Sequence, residues 1–364
     1  MSYTFPITPH AMFEDRFEQF VALGLPRTEV EEMRSAITDM WGDAPGGWVF
    51  EWSRLAQRHL EAQRPYMAAV AYGWAKFPCL ANDARRRALA DQVTAYLSAA
   101  PDFPVKFERR VIAAPFAGGT AALPVHLYSV SGFHHQEPIL LVSGGVDTWK
   151  MDIHRLCVEF AQRLGVTVLA FDQPGTGENP APLAIEADEI VLDLARQARN
   201  IGNGKVAHFG LSFGANYSAM TGLRGVVDAS VVLGGPIDRA FAKDALERLP
   251  YGMADIVSNA MGFESQPNKL EFVNAAGKLS RRALLEQPDN APMLIINGEN
   301  DYFVPQSDTR IFEGRLKTEV HLIAEAGHCA RSKLPEVMSM VFRWLPEQIS
   351  GGHGKDQRCA CGVD

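Results

Sequence analysis

The stretch Gly210-Leu211-Ser212-Phe213-Gly214 follows an apolar run at 205–209 and precedes a helix-compatible segment at 215–223. A serine between two glycines on a strand-to-helix turn has the pattern of a nucleophile elbow, in which a strained backbone lifts the hydroxyl clear of a sheet. The glycines two residues either side leave room for that turn. Five residues are a short match, so the rest of the chain has to supply an acid, a base and an oxyanion site in the required order.

Toward the C-terminus, an apolar run at 293–297 leads into Gly298-Glu299-Asn300-Asp301-Tyr302-Phe303-Val304-Pro305. A carboxylate a few residues beyond a strand end, between a Gly and a Pro, can reach a histidine on the neighbouring loop. Asp301 is the candidate acid, Glu299 the next choice and Asp308 the third. The last apolar run, 319–323, is followed by Ala326-Gly327-His328-Cys329, and of ten histidines His328 alone sits at a strand-end glycine in the right order. His328 would take the Ser212 proton and return it to the leaving group, while Asp301 would hold its tautomer and stabilise the imidazolium. A single histidine can be structural, but three positions in order point to a triad. His208, inside the elbow's strand, reads as packed, and His134-His135 as an exposed turn.

The runs at 107–113 and 123–130 alternate as strands do and predict an antiparallel pair across the turn-like 116–120. Those at 139–143, 166–171, 206–209, 230–233, 293–297 and 319–323 are continuously apolar, with helical patterns between most of them. That is the signature of a parallel sheet covered on both faces. The expected fold class is therefore α/β, with a mostly parallel eight-stranded sheet and an antiparallel start. About 55 residues between Gly235 and Pro292 carry helical pattern at 240–248, 253–261 and 269–285. They predict a helical lid insertion, 236–291, over the carboxyl edge of the sheet.

Upstream, residues 1–104 contain no strand-like run. Thr28 with Glu31 has the capping-box pattern ahead of Val30, Met33, Ile37 and Met40. Further helices are expected at 48–63, at 65–76 behind Pro65, and at 83–97 behind Asn82. The expected organisation is a helical cap module (1–104), a catalytic domain (105–348) and a flexible tail (349–364). Trp48, Trp52, Trp74 and Phe77 have the helical spacing of a core; any that faced the site would favour an apolar or aromatic substrate.

The loop after the run at 139–143 reads Ser143-Gly144-Gly145-Val146-Asp147-Thr148-Trp149-Lys150. An oxyanion site needs the Phe213 N–H and a second donor from this loop, Gly145 or Val146, between which the sequence does not choose. A plain tight turn would use the same residues. Asp172-Gln173-Pro174-Gly175-Thr176-Gly177 lacks the lysine and the G-x-G-x-x-G spacing of phosphate loops, and reads as a turn flooring the site.

Composition excludes other classes. Apolar residues make up 47%, charged residues 21% and the net charge is −8, which argues against disorder and against nucleic acid as a partner. Arg85-Arg86-Arg87 lies in a helical pattern and reads as a solvated face. No apolar stretch approaches the roughly 20 residues of a membrane span, and the first residues lack an export signal's basic start and apolar core. Five scattered cysteines suit a reducing cytoplasm. Cys359-Ala360-Cys361 with His353 matches no closed zinc site. No cofactor or metal is expected; the partner is a small-molecule substrate, and a homodimer is left open.

Residues 107–348 resemble the α/β-hydrolase superfamily. The helical N-terminal module, Gly-Gly-x-Asp-Thr at 144–148, Asp-x-Pro-Gly-x-Gly at 172–177 and Gly-x-Ser-x-Gly at 210–214 resemble more specifically the fermentation-respiration switch esterase group, with dihydropseudooxynicotine hydrolase and the fungal polyketide-shortening hydrolases. The resemblance implies a Ser212, Asp301 and His328 triad, in a site between the core and the helical elements. Some members cleave carbon–carbon bonds next to a ketone, where an acidic residue matching Asp147 assists. Asp147 and Trp149 are thus candidate substrate-binding residues, although Asp147 could equally cap the following helix and Trp149 could simply pack. The first expectation is hydrolysis of an ester, thioester or lactone of a small apolar or aromatic substrate. Carbon–carbon hydrolysis of a β-diketone or polyketide-like substrate, and acyl transfer or cyclisation by the same triad, are the alternatives.

Overall fold

Five helices come before any strand: α1 (Pro9–Ala22), α2 (Arg27–Ala36), α3 (Trp48–Glu61), α4 (Pro65–Ala75) and α5 (Asp83–Ala99). They belong to a computed structural model that describes residues 3–134 and 136–349. His135 and the expected tail beyond Ile349, with His353, Cys359 and Cys361, lie outside the described residues. α1 adds a helix to the four that patterning predicts; Thr8 caps it by accepting the Ala11 N–H, and Pro9 opens its first turn. In α2 the expected Thr28–Glu31 capping box does not form, because Pro26 takes the N-cap position and Thr28 falls inside the helix. The chain turns extended at Ile37, and Met40 lies beyond the helix, since residues 38 and 39 donate instead to the Gly46 carbonyl. Asn82 does cap α5, through the Arg85 N–H.

Arg86 and Arg87 are exposed, as expected of a solvated basic face, but Arg85 is not. It is buried, donates to the carbonyls of Phe77 and Met40, and lies over the Trp41 ring. A buried guanidinium needs such partners for its donors. The interior of the helices is aromatic, with Phe20 and Trp74 rings 4.0 Å apart and Phe13 and Trp48 5.3 Å apart. Trp48, Trp52, Trp74 and Phe77 all belong to this core.

The remaining chain alternates: β1 (Lys106–Phe116), β2 (Gly119–Ser129), β3 (Ile139–Ser143), α6 (His154–Leu164), β4 (Thr167–Phe171), α7 (Asp188–Ile201), β5 (Val206–Leu211), α8 (Gly214–Leu223) and β6 (Ala229–Leu233). An insertion comes next, with α9 (Lys243–Leu246), α10 (Met253–Ala260), α11 (Lys269–Ala276) and α12 (Arg282–Leu285), and then β7 (Met293–Gly298), α13 (Gln306–Arg310), β8 (Thr318–Ile323) and α14 (Leu334–Ile349). β1 and β2 form the expected antiparallel hairpin across Ala117-Gly118, both at positive φ, a two-residue turn that matches the strands' twist. The sheet order is β1-β2-β4-β3-β5-β6-β7-β8, and every pair from β4 to β8 is parallel. This is the eight-stranded arrangement that the α/β-hydrolase resemblance implies.

α6 and α14 cover one face of the sheet, while α7, α8 and the insertion cover the other. The carboxyl ends of β3, β5, β7 and β8 therefore open on one edge, where ligands bind in such sheets. The insertion is fixed at both bases. Asp308 accepts the N–H groups of Ile237, Asp238, Arg239 and Ala240, and buried Arg281 pairs bidentately with Asp188 while donating Nε to Asn216.

Candidate active site

β5 delivers Ser212 at its carboxyl end. Ser212 has φ +56°, left-handed backbone that costs a non-glycine residue roughly 1–2 kcal/mol, and its N–H is held by the Leu233 carbonyl at 2.8 Å. The turn closes only because Gly214 has no side chain: a Cβ there would collide with the Gly144 and Ser143 carbonyls of the adjoining strand end. Gly145 faces Ser212 in the same way. A Cβ on it would lie 3.3 Å from Ser212 Cβ and 3.5 Å from Oγ, so any side chain would crowd the hydroxyl.

Ser212 Oγ lies 2.8 Å from His328 Nε2, and His328 Nδ1 lies 2.7 Å from Asp301 Oδ2. The structure thus brings together the three residues singled out in the sequence. His328 is carried by a short helical turn after β8. The Asp301 side chain is fully enclosed. Its Oδ1 accepts the N–H groups of Phe303 (2.8 Å) and Val304 (3.1 Å), and its Oδ2 accepts Asn297 Nδ2 (2.9 Å). Glu299 is exposed at the rim, and Asp308 is spent on the base of the insertion. Neither reaches His328.

Asn297 is a residue of this site that sequence reading passes over. Besides its bond to Asp301, its Oδ1 accepts the Cys329 and Gly298 N–H groups, so one amide ties the end of β7 to the Asp301 loop and the His328 loop. The signal was an asparagine ending an otherwise apolar run.

Burial works against charge at both members of the pair. For His328 it is the largest influence and pulls the imidazole down, but the adjacent Cys329 sulfur and the Asp301 carboxylate outweigh it, and the group is raised above its ordinary 6.5. For Asp301 burial likewise favours the neutral acid. His328 and the Asn297 and Phe303 donors overcome it and hold the carboxylate below its usual range. His208 is packed, as expected. It is buried between Ser143 Oγ (3.0 Å) and Thr221 Oγ1 (2.9 Å), and burial lowers it to about 3.

Phe213 comes directly after Ser212, and Gly145 and Val146 lie just beyond β3; their N–H groups make no hydrogen bond with other described residues. Donors left free beside a serine hydroxyl suit a developing oxyanion. Asp147 borders the same space: its Oδ1 lies 3.5 Å from the point that a Gly145 Cβ would occupy, as does Ser212 Oγ. It does not cap α6. Its Oδ2 accepts Arg16 Nη2 from α1 at 2.9 Å and its Oδ1 accepts the Thr148 hydroxyl. Trp149 points away, into the core of the N-terminal helices, with its indole N–H on the Val146 carbonyl and Lys76 Nζ over its ring.

The cavity in front of Ser212 and His328 has a volume of about 60 Å³. Its wall is apolar: Phe241, Leu246, Met253, Val257 and Phe272 from the insertion, with Phe303 from the acid loop. The wall residues were not legible as such, because at helical spacing an apolar residue that lines a pocket looks like one that fills a core. Among the described residues there is no cluster of three or more His, Cys, Asp or Glu side chains fit to hold a metal, and no helix long and apolar enough to cross a membrane.

A sequence model of the family described as esterase FrsA-like matches residues 28–324. The chain belongs to the FrsA-like esterase family. Esterase FrsA of Vibrio vulnificus is 25% identical over 337 residues, covering 84% of this chain and 77% of that protein. Esterase FrsA of Yersinia pestis is 25% identical over 332 residues, with 79% and 77% covered. Among solved structures, wild-type AbyA5 is similar with a TM-score of 0.76 at 17% identity, covering 92% of this chain and 94% of that one. The 2,6-dihydroxy-pseudo-oxynicotine hydrolase is similar with a TM-score of 0.71 at 20% identity, covering 92% and 95%. At those identities the two structures speak to the fold, which they share with this FrsA-like chain. As a member of the family the chain is an α/β-hydrolase enzyme of esterase type.

Proposed function

We propose that the enzyme hydrolyses carboxylic esters with an apolar acyl group through an acyl-enzyme on Ser212. His328 removes the Ser212 proton as Oγ attacks the carbonyl carbon, and returns it to the departing alkoxide; water then enters by the same route and releases the acid. Asp301 keeps the Nδ1 proton in place and stabilises the imidazolium. The oxyanion meets the N–H groups of Phe213 and of the Gly145-Val146 pair. The observation that carries this reading is the continuous Ser212–His328–Asp301 chain of hydrogen bonds at the mouth of an apolar cavity.

Residues 1–104 act here as a cap, 105–348 as the catalytic domain and 236–291 as a lid. The insertion roofs the cavity of about 60 Å³ in front of Ser212, so substrate enters beside it. The apolar wall favours an acyl group bound by burial rather than by charge.

Carbon–carbon hydrolysis of a β-diketone is the second reading, favoured by the Asp147 carboxylate beside the nucleophile. The Arg16 and Thr148 bonds already occupy both of its oxygens, which supports the ester reading over it. The test is turnover of short p-nitrophenyl esters beside a β-diketone panel, in wild type and in Ser212→Ala. Ester turnover lost in the variant and no diketone cleavage is the expected result. Diketone cleavage without ester turnover would reverse the order of the two readings.

A further inference from the structure

Three loops from three different strands have to stay in register for this site to work: Gly145–Thr148 after β3, Asp301–Val304 after β7 and His328–Arg331 after β8. One face of α1 touches all three. Asp15 accepts the Tyr302 hydroxyl at 2.5 Å, next to the acid. Arg16 donates Nη2 to Asp147 at 2.9 Å, and its Nε lies 2.6 Å from Asp15 Oδ2 as an ion pair that is not aligned as a hydrogen bond. Gln19 is the hub. Its Oε1 accepts from Arg16 Nη1 (3.0 Å) and from Arg331 Nη1 (2.7 Å), three residues past His328, while its Nε2 donates to Thr148 Oγ1 (3.2 Å).

The spacing of 15, 16 and 19 puts these side chains on neighbouring positions of one helix face. The positions three and four residues from Arg16 are locked. Met12, Phe13 and Phe20 are buried in the aromatic core with Trp48 and Trp52. Asp15 and Arg16 are themselves almost wholly enclosed, with side-chain exposures of 3% and 6%, so the Arg16–Asp147 bond is sheltered from water, whereas the Asp15–Tyr302 and Gln19–Arg331 bonds lie at the surface. A firmly packed helix thus presents one polar face to all three loops. α1 also precedes the stretch that the family model matches.

We propose that α1 is a clamp for the active site, with Arg16 and Gln19 as positioning residues that hold the oxyanion loop in register with the acid and histidine loops. The clamp rests on the Ser212–His328–Asp301 reading above. It acts without touching substrate. Its contribution falls on the rate of the chemical step, which is steep in geometry: a misplacement of about 1 Å can cost on the order of 100-fold.

The experiment uses the full chain and Gln19→Met, which removes the hub without stranding a buried charge. Competent sites are counted with a fluorophosphonate that phosphonylates Ser212, and kcat is expressed per labelled site. The expected result is a per-site kcat lowered about 10-fold, with KM for p-nitrophenyl butyrate within about twofold and an unfolding temperature close to wild type. Gln19→Glu keeps the acceptor for both arginines and recovers part of the rate. A Gln19→Met enzyme with unchanged per-site kcat, whatever its stability, overturns the clamp alone. Wild-type enzyme that takes no fluorophosphonate on Ser212 overturns the triad reading, and the clamp with it.

Discussion

Replacing Asp301 by Asn tests the acid through a conflict of donors that can be worked out atom by atom. Oδ1 faces the Phe303 and Val304 N–H groups, which are fixed in the backbone and can only donate. The Asn carbonyl must therefore stay on that side, and its NH2 takes the place of Oδ2, facing Asn297 Nδ2 and His328 Nδ1. An NH2 there can be accommodated only if Nδ1 is an acceptor. The imidazole proton then sits on Nε2, pointing at Ser212 Oγ, and His328 can no longer take the serine proton. A wrong tautomer in a triad of this geometry costs about 10⁴ in kcat, equivalent to roughly 5 kcal/mol of transition-state stabilisation. The assay is kcat and KM on p-nitrophenyl butyrate with the unfolding temperature measured alongside, and Glu299→Gln as the control expected to stay within about twofold of wild type. A folded Asp301→Asn enzyme within about 10-fold of wild type would refute the assignment.

Other outcomes come from the same geometry. Because Cys329 and Asp301 outweigh burial and raise His328, and because only the neutral imidazole serves as base, the acid limb of the kcat/KM profile should have its midpoint above 6.5; a midpoint at or below 6.5 contradicts the ion pair. Phe272→Ala opens the cavity wall on α11, and each extra buried methylene of an acyl chain should gain about 0.8 kcal/mol, roughly fourfold in kcat/KM, relative to wild type. A chain-length profile that does not move would remove α11 from the acyl site. Asp308→Ala deprives four N–H groups of their acceptor and should lower unfolding free energy by at least ~2 kcal/mol in denaturant titrations, while the folded enzyme keeps its pH profile.

Much of this site is written in local sequence because the end of a buried strand fixes where the next few residues lie. Six continuous apolar runs place the parallel strands to within a residue or two, and Ser212, Asp301 and His328 each sit a few residues beyond one. Helix boundaries were less legible. The Thr28–Glu31 pattern was defeated by Pro26, and Arg85 was turned inward by packing that no local pattern carries. The roles of Asp147 and Trp149 depended on partners 131 and 73 positions away, Arg16 and Lys76, which lie on or beside helices whose faces are set only by tertiary contact. The cavity wall belongs to the same class. Its residues are read as core until the sheet edge that they cover is known.

The central claim is that Ser212 carries the acyl group. Wild-type enzyme mixed with excess p-nitrophenyl ester, quenched in acid within the first turnovers and mapped by peptide mass, should carry one acyl group on the peptide containing Ser212. Ser212→Ala should carry none, with turnover lowered at least ~10³-fold. An acyl group on another residue, or Ser212→Ala turning over ester at the wild-type rate, would contradict the account.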